Sequence, residues 1–212
     1  MSRGVQLRSA LAAVETHLPR FQVDSRILLD LSEIAHRHIV ELARPRLGAA
    51  LDTMLAAFRA EELPRIGASA SAGGCSLLGI GPARWLLIAS DNAPAEFSGV
   101  KLEGFFEVAI DTTDAWTQLA ISGSFSRDLL AKGCALDLHP KVFPEGSCAV
   151  TRFAHLRCVL HNMGATYRLL VGRSYAVSLS EWLIEAAAEF RLELKPPAEA
   201  KSYQLYPYTH ST

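Results

Sequence analysis

Apolar residues fall at helical spacing in some stretches of the chain and at strand spacing in others. In the first 23 residues, Leu7, Leu11, Val14 and Leu18 share one helical face, and Pro19 ends the pattern. Segment 1–23 therefore reads as peripheral, either docked on the domain or a partner or frayed as a terminus. Strands are expected at 26–31 and 38–43. Leu47, Leu51, Met54, Leu55 and Phe58 then form one helical stripe. A connector rich in Ala, Ser and Gly follows at 61–74. Segments 75–80 and 84–89 read as strands joined by Gly81-Pro82, which supplies turn chemistry for a hairpin. A short helix is expected within 91–103, and a strand at 106–110.

The second half repeats this order. A strand is expected at 116–121 and a short helix at 125–132, with Ser124 placed to cap its start and Gly133 to end it in a φ > 0 conformation. Strands at 148–153, 156–161 and 167–171 come next, the first two able to bend into one hairpin. The clearest helix is 178–190. Ser178 and Glu181 have capping-box spacing, and Leu179, Trp182, Leu183, Ala186 and Phe190 form its apolar stripe. After Pro196-Pro197 the tail, 196–212, reads as irregular.

The element order is thus roughly βαββαβ, given twice. It predicts an α+β fold of doubled ferredoxin-like units, with antiparallel sheets and helices on one face of each. The expected body is 24–195, in halves of about 24–112 and 113–195. Only the order of elements repeats; no sequence repeat is visible between the halves.

Composition narrows the function classes. The 212 residues hold 21 basic and 22 acidic side chains and are half hydrophobic. That is a globular composition, long enough to bury a sizeable core. The balance gives no support to nucleic-acid binding, which needs a basic surface to neutralise phosphates. The longest apolar runs are short, such as 85–89, against about 20 residues needed to cross a bilayer. The N-terminus does not read as a secretory signal. Cys75, Cys134, Cys148 and Cys158 show no CxxC spacing and are expected to be reduced thiols in a cytoplasmic protein. Mean hydropathy is positive, +0.16, which predicts apolar surface left for a partner.

No constellation specifies a reaction. His36 and His38 would share a strand face, but a metal needs a third convergent ligand, and a polar strand face explains them as well. His155 and His161 bracket Cys158 without matching a metal spacing. Gly79-Ile80-Gly81-Pro82 lacks the third glycine and the helix of a dinucleotide fingerprint. Asp111, Asp114 and Asp137 lie near strand ends, where a loop acid or a cap is the simpler reading than a general base. No catalytic, cofactor-binding or metal-binding residue is assigned to this chain.

Residues 121–140 carry a more specific signal. Arg127, Asp128, Lys132, Gly133, Cys134, Asp137, Leu138, His139 and Pro140 follow one another in the order of a stretch found in the sarcosine oxidase gamma subunit family. Phe143-Pro144 with Gly146, Cys148 and Thr151-Arg152 continue the resemblance. So do Arg173-Ser174-Tyr175 and Trp182, with a weaker echo at 78–87. It covers about residues 75–190. The family resembles the folate-binding domain of the glycine-cleavage T-protein, in agreement with the doubled order read above.

The resemblance implies a non-catalytic gamma subunit, inactive alone, within an alpha-beta-gamma-delta sarcosine oxidase. Its large alpha-type subunit would be the partner, and FAD, FMN, NAD and tetrahydrofolate would sit on partner subunits. The matched residues are then structural: Asp137 and His139 as makers of local loop hydrogen bonds, Trp182 as a core anchor. Gly123-Ser124 stands where the family has Gly-Pro. A subunit of another N-methyl amino-acid dehydrogenase, acting for instance on N-methylglutamate or dimethylglycine, stays open. So does a stand-alone folate-binding or one-carbon-transfer protein.

Overall fold

The computed structural model describes residues 29–34, 38–46, 48–90, 93, 102, 104–190 and 192–195. The segment at 1–23, nearly all of 91–103 and the tail at 196–212 lie outside them. In chain order the elements are β1 (Leu29–Ile34), β2 (His38–Pro45), α1 (Ala49–Ala57), β3 (Ser69–Ala72), β4 (Cys75–Gly81) and β5 (Arg84–Ala89). Then come β6 (Phe106–Asp111), β7 (Trp116–Ser122), α2 (Ser126–Gly133), β8 (Cys148–Phe153), β9 (Leu156–Asn162), β10 (Thr166–Gly172), α3 (Ala176–Ala186) and β11 (Leu192–Lys195).

The strands form two sheets, in the orders β11-β1-β7-β10-β9-β8 and β3-β4-β5-β2-β6. The run β3-β4-β5-β2 in one is repeated as β8-β9-β10-β7 in the other, so the doubled α+β architecture is present in the topology. The halves differ at one edge. β6 flanks β2 directly, whereas β1 is inserted between β7 and β11. That insertion makes β1–β11 parallel, while the other strand pairs are antiparallel.

Alternation along each strand sorts side chains into three apolar layers. Ile39, Leu78, Leu86 and Ile88 from one sheet meet Cys148, Val159 and Leu170 from the other, so the sheets pack face to face. Their outer faces are covered by helices. Leu119, Ile121, Leu160 and Leu169 pack with Leu129 and Leu130 of α2 and Leu179 and Leu183 of α3. Val40, Leu42, Leu77 and Leu87 pack with Met54 of α1 and with Phe58.

The two sheets are joined at a corner by a reciprocal backbone exchange. Arg65–Ala68 and Pro144–Ser147 are turns closed by Ala68 N donating to Arg65 O and Ser147 N to Pro144 O, both 3.0 Å. The third residues, Gly67 (φ 85°) and Gly146 (φ 81°), are left-handed, as a type II turn requires. Each turn feeds an edge strand and accepts from the other: Ser69 N donates to Gly146 O (2.7 Å) and Cys148 N to Gly67 O (2.9 Å). Ala68 and Ser147 face each other as a bridge. Behind them, Gly67 N donates to Gly79 O and Gly146 N to Asn162 O. Pro64 O takes the Trp85 indole and Phe143 O takes the Asn162 amide. Residues 64–69 and 143–148 thus repeat in conformation and bonding while sharing only the glycine.

Several local expectations are corrected. β1 runs to Ile34, past the expected end at 31, while the expected start at 26–28 lies outside the described residues. The connector at 61–74 contains β3. Ser124 makes no cap to α2, whose cap position is Phe125. The left-handed residue there is Gly123 (φ 106°), so the special geometry lies before the helix. Gly133 is absent from the left-handed region and sits in the last turn for want of space, as described below. The Ser178–Glu181 capping box does not form, because a 3-10 turn at Arg173–Tyr175 leads straight into α3 and starts it at Ala176. Buried Ser180 instead donates to Ala176 O at 2.8 Å.

The seam makes a symmetric prediction. Gly67→Ala and Gly146→Ala should each lose about 1–2 kcal/mol, the cost of a left-handed non-glycine residue, since a Cβ at either site meets nothing closer than 3.6 Å. Gly79→Ala should lose more, because its Cβ would sit 2.3 Å from the Arg65 carbonyl oxygen, a backbone atom. Urea denaturation of the three variants checks the ranking.

Candidate functional site

The residues singled out in the sequence divide between one groove and two loops. α2 and α3 lie on the same sheet face, and the tip of the β8–β9 hairpin reaches them. Together they line a shallow groove of about 420 Å3, bounded by Lys132, Gly133, Cys134, Arg152, His155 and Trp182. Its floor rests on one close contact. The Phe153 ring lies where a Gly133 Cβ would be, 2.4 Å from that position, and meets the Trp182 indole edge to face at 5.2 Å. Ala154 N donates to Gly133 O at 2.9 Å, which ties the hairpin tip to the end of α2. Gly133 is required here by close approach, and Trp182 is half-buried, both packing on Phe153 and facing the groove.

The groove's polar groups are partly committed. Lys132 Nζ donates to Ala186 O (2.7 Å) and to Glu189, and stands 4.6 Å from the Phe190 ring centre. Burial pushes the Cys134 thiol up, against a smaller lowering by a backbone bond. It therefore stays protonated, and its Sγ donates to Leu130 O at 3.4 Å. Arg152 and His155 are exposed. The inventory is cationic and aromatic, suited to holding a ligand or a partner side chain.

Other matched residues do not join it. Arg127 Nε donates to the buried Tyr167 hydroxyl at 2.9 Å and locks α2 to β10, while Asp128 is exposed in the first turn. Asp137 accepts from His139 N (2.9 Å), and His139 Nδ1 accepts from Lys141 N (3.2 Å). Buried Leu138 and Phe143 anchor that loop, leaving His139 and Pro140 exposed. After β10, Arg173 Nε donates to Asp114 O (2.9 Å) and Ser174 is exposed.

The histidines separate as well. His36 lies outside the described residues. His38 Nδ1 is 3.8 Å from Asp111, whose other oxygen accepts from Thr113. His155 stands at a hairpin tip and Cys158 faces the helices. His161 points into the inter-sheet layer, 1% exposed. Ser69 Oγ has one proton, which it donates to Gly146 O (2.9 Å), so His161 Nε2 must donate to Ser69 Oγ (2.8 Å). Nδ1 then carries a buried lone pair without a partner. Desolvation, and secondarily the Arg168 charge beside it, lowers the His161 pKa to about 4. Cys148 holds the position equivalent to Ser69; burial raises its thiol to about 11, and that of Cys158 to about 12. Ser69 was invisible in the sequence because it lies in a connector and meets His161 only across the seam. Among the described residues, no group of three metal-ligating side chains converges.

Comparison with known proteins places this geometry. A family model described as "Sarcosine oxidase, gamma subunit family" matches residues 41–189. Sarcosine oxidase subunit gamma of Corynebacterium sp. (strain U-96) is 30% identical over 122 residues, 55% of this chain and 58% of that protein. The match to the protein of strain P-1 is similar, at 29% identity and 60% of its length, so the matched region spans about three-fifths of these two relatives. Sarcosine oxidase subunit gamma of Arthrobacter sp. is 30% identical over 147 residues, 68% of this chain and 72% of its own. Among solved structures, one chain of the heterotetrameric sarcosine oxidase from Corynebacterium sp. U-96, in complex with pyrrole 2-carboxylate, superposes with a TM-score of 0.72. That match has 26% identity and covers 87% of this chain and 96% of that one. The aminomethyltransferase T of the Bartonella henselae glycine cleavage system shares the fold, with a TM-score of 0.54, 18% identity and coverage of 80% and 48%.

Two predictions follow from the site. Gly133→Ala should cost about 3 kcal/mol by overpacking against Phe153, and Phe153→Leu in the same chain should recover part of the loss. His161 makes folding acid-sensitive. The unfolded chain takes up its proton below about pH 6.5, while the folded chain resists until about pH 4. Its contribution is complete above pH 6.5 and is lost as pH falls towards 4, by up to about 3 kcal/mol. Denaturant unfolding of wild type and His161→Gln across that window should show the shallower pH slope in the variant.

Proposed function

The chain belongs to the sarcosine oxidase gamma subunit family, and from that premise we propose that it is the small gamma-type subunit of a heterotetrameric sarcosine oxidase. In this reading it supports oxidative demethylation of sarcosine to glycine and assigns no step of that reaction to its own residues. FAD, FMN, NAD and tetrahydrofolate belong to the partner subunits, and the large alpha-type subunit is the contact. The observation that carries the reading is the superposition on 96% of one chain of a heterotetrameric sarcosine oxidase at 26% identity.

The chemistry of the described surface agrees with a binding role. The half-buried Cys134 is held protonated, and Lys132 is occupied by Glu189 and Ala186, so the groove lacks an activated nucleophile. Large apolar side chains stand exposed at Ile66, Ile110, Val142, Tyr175 and Val177, a distribution that a partner surface would cover. Cys134, Cys148 and Cys158 are unbridged thiols, two of them buried, which supports a cytoplasmic location. No described helix is long and apolar enough to cross a membrane.

A tagged form of the chain, expressed in its native host, should bring down a larger flavoprotein with sarcosine-dependent oxidase activity. The isolated chain should be colourless, inactive on sarcosine, and melt at a lower temperature than it does in the complex, because a partner that binds only the folded state stabilises it. Recovery of a monodisperse chain without a larger subunit, or flavin held stoichiometrically by the chain alone, would refute the proposal.

A further inference from the structure

The β8–β9 hairpin sets two guanidinium groups opposite each other. Arg152 and Arg157 are register partners, one position in from the two-residue loop Ala154-His155, whose φ values are both positive. Asn162 N donates to Ser147 O at 2.8 Å, which makes Ser147–Asn162 a hydrogen-bonded pair. By alternation, Arg152–Arg157 is a non-hydrogen-bonded pair, the kind that brings facing side chains closest, about 4.5–5.5 Å between Cβ atoms. Both arginines are exposed. Like charges at this spacing are unfavourable. Among the described residues, the ion pairs are made by His38, Arg44, Arg84 and Lys132, and none involves Arg152 or Arg157.

The backbone beside them is also largely open, although Arg152 O accepts a long bond from Thr151 Oγ1 at 3.4 Å. β8 is the terminal strand of its sheet. The alternation that turns Cys148 N outward, where Gly67 O accepts from it, turns the N–H and C=O groups of Val150 and Arg152 outward as well. The seam covers the first of these positions, and no described strand lies beside the next two. Val150 is 37% exposed there. Arg152 also borders the groove with Lys132, His155 and Trp182, so cationic surface runs from the strand edge into a recess.

We propose that the outer edge of β8 from Val150 to Arg152 is a strand-docking site for an extended, acidic segment of the large partner subunit. The segment continues the line of residues 67–69 along β8. Its backbone pairs with Val150 and Arg152, and its carboxylates lie between Arg152 and Arg157, replacing a repulsion with two charge-assisted contacts. Charge complementarity selects this occupant over the chain's own tail, where residues 196–212 hold one acid, Glu199, against Lys201. The identity of the partner rests on the subunit reading above; the acidic chemistry rests on the arginines.

Fluorescence anisotropy with the full chain tests the site, using labelled peptides of alternating glutamate and valine or of alternating lysine and valine. The acidic peptide should bind, R152E/R157E should weaken it at least tenfold, and the lysine peptide should then bind the variant in preference. R157E alone should leave the melting temperature unchanged or raise it, because a cross-strand ion pair replaces the repulsion. In the native complex, R152E/R157E should weaken association with the large subunit at least tenfold, while R59E, a reversal at an exposed residue near α1, should not. Equal binding of the acidic peptide by wild type and R152E/R157E overturns the site. So does a wild-type dimer that the double reversal disperses, which would give the edge to a second copy. A complex that assembles equally well with R152E/R157E overturns the docking surface and leaves the subunit reading standing. Charge-selective peptide binding with no large subunit recovered from the host does the reverse.

Discussion

Two glycine turns exchange backbone hydrogen bonds across the corner where the sheets meet, and the arrangement of both halves depends on that exchange. Gly67 and Gly146 each accept from the first residue of the other's strand, and each donates back into its own sheet. The start of one edge strand thereby covers the start of the other, which protects backbone groups that a free edge would expose. A buried amide or carbonyl left unpaired there would cost about 1–3 kcal/mol. The relation is symmetric in backbone and asymmetric in side chains. Ser69 bonds His161, while Cys148 at the matching position points its thiol at Ala68 O and Gly79 O. A duplicated frame can diverge this way, because outside the two turn glycines it is held by main-chain groups that nearly every residue carries.

From the seam the structure builds outward. The middle apolar layer holds the sheets together, and each outer layer holds helices against one sheet. On the side of α2 and α3 the layer thins to the contact among Gly133, Phe153 and Trp182, where the groove begins. The stretch 127–140 does two kinds of work. Arg127, Leu138 and Gly133 fix α2 and its following loop to the sheet, while Asp137 and His139 shape a loop whose outer atoms meet solvent. A domain of this kind supplies a shaped surface, which agrees with the subunit role proposed above.

The hydrophobic pattern made the strands at 75–89, 106–110, 116–121 and 148–171 legible, together with the Leu51–Phe58 and Leu179–Leu183 stripes, because burial on one face imposes period 2 or 3.6 on the sequence itself. The α+β class followed from their order. β3 was not legible, since Ser69–Ala72 has neither β-branched nor aromatic residues and is a strand only because β4 pairs with it. The caps failed for a related reason. Ser124 and Ser178 have the right residue type, but Gly123 and the Arg173–Tyr175 turn set where each helix could begin.

The sequence by itself determined the layers, because apolar spacing is a local property written residue by residue. It also determined the stretch around Gly133 by which the chain resembles its relatives. The tertiary structure alone decided which strand lies beside which: the insertion of β1 beside β7, the bonding of Ser69 to His161 across 92 positions, and the repeat between 64–69 and 143–148. It also decided that Arg152 faces Arg157. Each of these depends on backbone groups or register, and the backbone is chemically the same at nearly every residue. A sequence can mark which face is buried, but partners chosen through identical N–H and C=O groups become definite only when the chain has closed on itself.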